Sequence, residues 1–69
     1  MNEKEYLERI GMNVRSIRQE RKLTIDQVSK LISMNAWNIN NIELGRKNFR
    51  FITLCKIAEV LNVDVKDFL

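Results

Sequence analysis

The chain is 69 residues long, enough for one small domain with a modest core and too short to enclose a sizeable active-site cavity. Its 12 Lys+Arg against 9 Asp+Glu leave a formal net charge of +3, a mild basic excess that suits nucleic acid without demanding it. With a single cysteine, Cys55, and no histidine, an internal disulfide and the Cys/His zinc spacings are excluded, so neither a metal site nor a cofactor is expected. No apolar run approaches the roughly 18 residues of a membrane span, and the N-terminus MNEKEYLERI is charged rather than signal-like. A cytoplasmic chain with no membrane partner is the expectation. The absence of proline and the presence of only two glycines, without linker-like or repetitive stretches, point to an all-α domain.

In chain order, residues 1–5 read as a flexible N-terminal tail and residues 6–69 as the folded domain. A first helix is predicted from about Glu5 to Glu20, where Leu7, Ile10, Val14 and Ile17 recur at helical spacing. Leu23 then enters the core. Thr24 can cap a second helix, with Gln27 three residues on completing a capping box, and the apolar stripe Ile25, Val28, Ile32 follows. Ser33, Met34 and Asn35 leave room for a turn and a new cap but not for a loop. The third helix, with Ile39 and Ile42 on one face, should stop near Leu44, where Gly45 accepts the left-handed backbone that ends helices. After the basic, aromatic connection RKNFRF comes a fourth helix whose buried stripe is Leu54, Ile57, Ala58 and Leu61, and Asn62 is its expected stop. Asp64 with Asp67 caps a last short helix carrying Val65, Phe68 and Leu69, for a total of five helices. Two helices joined as closely as the second and third form the supersecondary unit that sets its second helix in a DNA major groove.

The segments IGMNVRSIR, LT with DQVSKL behind it, INNIELG and TLCKIAEVLNV-D, in that order and with those gaps, resemble the phage repressor/Cro-type (xenobiotic-response-element-like) helix-turn-helix family from about Leu7 to Leu69. The resemblance implies a compact five-helix, lambda-repressor-like DNA-binding domain, and it implies that Arg18 and Glu43 pair between the first and third helices. Ser33 stands where such turns usually have glycine, Ser29 where the helix contact usually has alanine, Ile25 where many members have a phosphate-touching glutamine, and Phe49 where proline is frequent.

A helical wheel at ~100° per residue places Trp37, Asn40, Asn41 and Leu44 opposite Ile39 and Ile42, so these four, with Ala36 at the start of the helix, are the candidate base readers. Asparagine can bond adenine N6 and N7 together, each good pair being worth about 1–3 kcal/mol of discrimination, and apolar groups can touch a thymine methyl. An A·T-rich half-site is therefore expected. The bland alternatives are a solvated surface for Asn40 and Asn41 and packing against a neighbouring helix for Trp37. Thr24, Asn38, Arg46, Lys47, Asn48 and Arg50 are the candidate phosphate contacts, with a solvated basic loop as the alternative.

One such helix reads too few base pairs for useful specificity, so a homodimer on a roughly palindromic operator is expected, with Phe49, Phe68 and Leu69 as its apolar contacts and Leu31 as a further candidate. A repressor is the favoured role, and phage repressor, controller of a restriction-modification operon and antitoxin all fit. The rival is a protein-interaction module that binds a toxin or enzyme through Trp37 and the Phe49/Phe51 region. Enzymatic function is disfavoured: histidine is absent, Cys55 lies beside a buried stripe, and no carboxylate pair is framed by a pocket.

Overall fold

Three of the four α-helices begin at a side-chain oxygen placed to accept an otherwise unpaired backbone N–H. In the computed structural model, which describes residues 1–69, these caps start α1 (Glu3–Glu20), α2 (Ile25–Leu31) and α3 (Ala36–Glu43), while α4 (Phe51–Leu61) starts at Arg50 without a side-chain cap. Thr24 and Gln27 form a reciprocal capping box, their bonds measuring 3.1 and 2.8 Å. A second box was not foreseen: Asn2 Oδ1 accepts the Glu5 N–H at 2.9 Å, and Glu5 Oε1 accepts the Asn2 N–H at 3.1 Å. Residues 3–5 are consequently the first turn of α1, not part of a tail, and their acidic side chains suit the positive end of the helix dipole.

The four helix ends share one geometry. After α1, α2, α3 and α4, the residues Lys22, Ser33, Gly45 and Asn62 adopt φ of +59°, +54°, +69° and +58°. Each is followed by a residue whose N–H reaches back to the carbonyl five positions earlier: Leu23 to Arg18, Met34 to Ser29, Arg46 to Asn41 and Val63 to Ala58. This is the Schellman arrangement, which satisfies the last carbonyls and turns the chain sharply. Leu23, Met34 and Val63 thereby fold back against the core, whereas Arg46 is exposed. Only Gly45 meets the left-handed region without a Cβ penalty; Ser33 and Lys22 carry that cost.

The expected fifth helix is a 3₁₀ turn, Val65–Phe68, capped by Asp64 and Asp67 and bonded in the i to i+3 pattern, so four α-helices and one 3₁₀ turn make the fold. Phe68 is 0% exposed and is the largest of the fully buried side chains, in a core with Val14, Val28, Ile39, Leu54, Ile57, Ala58 and Leu61. Its carbonyl accepts the Asn13 amide at 2.9 Å, which fastens the turn to α1. A dimer contact through Phe68 is thus ruled out: the reversal at Asn62 lays the final turn across α1 and α4 and directs the ring inward. No helix is long and apolar enough to cross a membrane.

Helix α3 is seated on α1 at a glycine. A Cβ built on Gly11 would stand 2.3 Å from the Ile42 carbonyl oxygen and 2.6 Å from that of Glu43, distances that no side chain could occupy. About two turns further along α1, Arg18 grips the same end of α3 with its fork: Nε donates to Glu43 Oε2 at 2.7 Å and Nη2 to Oε1 at 3.0 Å, while Nη1 donates to the Leu23 carbonyl at 2.8 Å. The two side chains are only 10% and 3% exposed. Bidentate geometry and the third bond satisfy a charge pair that would otherwise be costly to bury. Ser29, buried in the α2 contact, donates its hydroxyl to the Asp26 carbonyl at 2.7 Å and so brings no unpaired polar atom with it.

Candidate nucleic-acid interface

Helix α3 has eight residues and opposite faces of different character. Ile39 and Ile42, at 0% and 2% exposure, fasten it to the body, and Trp37 and Asn40 stand exposed on the other side. Trp37 is 66% exposed, so the alternative in which it packs against a neighbouring helix does not hold. Its backbone is well fixed: Asn35 Oδ1 accepts its N–H at 2.7 Å, and its carbonyl accepts the Asn41 Nδ2 amide at 2.8 Å. Asn41 is half-buried and retains its amide oxygen and a second N–H for a base edge. Ala36 is half-buried in the first turn.

Leu44 lies just beyond the last helical residue at 37% exposure, in a shallow depression shared with Glu8, Met12 and Arg15 of α1. It belongs as much to the α1 edge as to the reading face, because the Schellman turn at Gly45 bends the chain toward α1. Gly45 itself passes so close to Glu8 that a Cβ there would come within 2.7 Å of the Glu8 Cα.

The candidate phosphate contacts divide into two places. Asn38, Lys47, Asn48 and Arg50 line one open groove of about 510 Å³ beside α3, together with Met34, Phe49 and Thr53. Lys47 Nζ donates to Asn38 Oδ1 and also lies 5.6 Å from the centroid of the Trp37 ring, within cation–π range. Sequence reading named both Asn38 and Lys47 as separate phosphate contacts and missed that they bind each other; nothing in helical periodicity relates a helix residue to a loop residue nine positions later. Thr53, in the first turn of α4, lines the same groove and was not among the sequence candidates. Arg46 is exposed. Thr24 stands apart at the α2 start, where its hydroxyl oxygen accepts the Gln27 N–H and its hydroxyl proton stays free to donate.

Among the expected dimer contacts, Leu69 is exposed, Phe49 is half-buried against the core and Phe68 is inside it. Phe51 and Ile52, adjacent at the start of α4, are exposed at 65% and 57%. Cys55 is half-buried and unpaired.

A family model described as helix-turn-helix matches residues 14–68. The chain is 34% identical over 58 residues, 83% of its length, to the HTH-type transcriptional repressor RghR of Bacillus subtilis, and it spans 43% of the length of that repressor. Its fold superposes on the restriction-modification controller protein C.AhdI from Aeromonas hydrophila with a TM-score of 0.87 at 19% identity, covering 91% of this chain and 96% of that one. It also superposes on the S. venezulae BldD DNA-binding domain, with a TM-score of 0.83 at 24% identity, over 94% and 97% of the two chains. The chain belongs to the Cro/phage-repressor type of helix-turn-helix family, whose members are DNA-binding transcriptional regulators and not enzymes.

Proposed function

We propose that this chain represses transcription by binding a roughly palindromic, A·T-rich operator as a homodimer, with the exposed face of α3 in the major groove. One observation carries the reading: α3 buries Ile39 and Ile42 against the body while Trp37 and Asn40 project outward, flanked directly by the basic connection Arg46, Lys47 and Arg50. In this reading Asn40 and Asn41 bond adenine edges, Trp37 and Ala36 meet thymine methyl groups, and the groove of Lys47, Asn48, Arg50 and Thr53 follows the sugar-phosphate backbone. Ile25 is packed against the core and offers nothing to a phosphate.

The similarity to the repressor RghR supports the sign of regulation, and the fold shared with a controller protein and a DNA-binding domain supports the mode of action. For the homodimer, the exposed apolar side chains on hand include Leu31, Leu69 and the Phe51/Ile52 pair, and the last, with Trp37, is also what would favour docking to a different protein. A two-fold dimer would place half-sites about 10–10.5 base pairs apart. The test is selection of duplexes from a random pool, followed by salt titration of the best one. With about 6 phosphate contacts the log-log slope should be near −5, and a slope close to zero would contradict DNA binding.

A further inference from the structure

The Trp37 ring presents a problem of position. Its backbone is locked at both the N–H and the carbonyl, yet two-thirds of its surface is exposed, so packing does not choose where the ring stands. What reaches it is Lys47, from the loop beyond Gly45. The Lys47 ammonium lies 5.6 Å from the ring centroid and donates to Asn38 Oδ1, on the residue that directly follows Trp37. Lys47 is half-buried, so this is not a freely waving surface lysine.

An ammonium has three N–H donors. One is taken by Asn38 and one side faces the ring, which leaves a donor directed to whatever lies outside the groove. We propose that Lys47 is a positioning residue for the reading face: its ammonium, held by Asn38, sets where the Trp37 ring stands when α3 meets a duplex. The inference rests on the DNA-binding reading above. A phosphate on the remaining donor anchors Lys47 and, through it, the ring, so backbone contact and base preference share one group. Asn38 accordingly serves Lys47 and not a phosphate.

An ordinary phosphate-contacting lysine, when removed, weakens every sequence alike. Lys47 should behave differently. The test compares the wild-type chain with Lys47→Ala, Lys47→Arg, Trp37→Ala and the Lys47→Ala/Trp37→Ala double variant, binding the duplex most enriched from a random pool and a shuffled duplex of the same composition. Lys47→Ala should lower the ratio of the two affinities about threefold, beyond a loss common to both, as the size of an exposed cation–π contact implies. Lys47→Arg, which keeps the cation and its donors, should restore most of that ratio. In the Trp37→Ala background, Lys47→Ala should leave the ratio unchanged. Equal weakening of both duplexes by Lys47→Ala overturns the proposal.

A second measurement needs no DNA. Trp37 is the sole tryptophan, so its emission and its quenching by acrylamide report this ring alone. Lys47→Ala and Asn38→Ala should each change both in the free protein, and no change in either variant overturns the positioning role. A wild-type protein without preference between the duplexes overturns the DNA reading and this inference with it; altered Trp37 emission in the variants would then place the failure in DNA reading and not in the Lys47–Trp37 contact.

Discussion

The inner and outer faces of α3 could hardly be more different for one helix of eight residues. On the inner face, α1 approaches so closely at Gly11 that a methyl group would collide with the Ile42 carbonyl, and Arg18 holds Glu43 through two buried bonds. On the outer face, Trp37 and Asn40 are exposed, and their surroundings are the half-buried polar residues Asn41, Asn38 and Lys47. The contrast teaches how a small domain can expose one face of a helix while fixing the other. Rigidity is concentrated behind the helix, and the outward face, the proposed reading surface, carries little of the packing.

If that division is correct, substitutions behind α3 should cost stability and those in front should not. The largest effect is expected at the ion pair. Arg18→Met, which strands the Glu43 carboxylate in a buried site, should cost about 3–5 kcal/mol, and the Arg18→Met/Glu43→Met double variant should recover much of the loss. Thermal melts of the three variants measure this; small additive losses of under about 0.5 kcal/mol each would describe two independent surface groups. Gly11→Ala comes next. Although alanine is the better helix former, the clash with two backbone carbonyls should destabilise by about 3 kcal/mol, seen as a lower urea midpoint, and a gain in stability would mean that α1 and α3 are not so closely seated.

On the outer side, Asn41→Ala should leave the melting temperature nearly unchanged while flattening base preference at one position per half-site, by about 1–3 kcal/mol of discrimination. Uniform weakening of all duplexes would remove Asn41 from the reading face. The smallest effect tests the turn that joins α2 to α3. Ser33 holds φ of +54°, so Ser33→Gly should stabilise by about 1 kcal/mol in chemical denaturation, and a loss of stability would show that the serine side chain contributes more than its backbone strain costs.

How much of this was legible in the sequence depended on whether the signal was local. The Thr24/Gln27 box, the Asn35 cap, the stops at Gly45 and Asn62 and the buried stripe of α4 depend on residues within one or two turns, and each lies where its spacing places it. The Asn2/Glu5 box is equally local, but it lies ahead of Leu7, where the apolar periodicity that marks the first helix begins. Phe68 could not be placed by periodicity, because a four-residue 3₁₀ turn has no face to read and its inward direction is set by the left-handed Asn62 before it. Gly11 is informative only when α3 is known to cross there. In the candidate site, the face of α3 follows from the wheel, but the Lys47–Asn38–Trp37 grouping joins a helix to a loop and has no period at all.

The claim that one face of α3 is structural and the other reads DNA is tested most directly by nuclear magnetic resonance of the labelled protein titrated with its selected duplex. The largest shifts should fall on the Trp37 indole N–H, the Asn40 and Asn41 side-chain amides and the amides of residues 46–50, while the methyl groups of Val14, Ile39 and Ile42 stay nearly still. The largest shifts falling instead around Leu69 or Phe51 and Ile52, with the Trp37 indole and both asparagine amides unmoved, would contradict it.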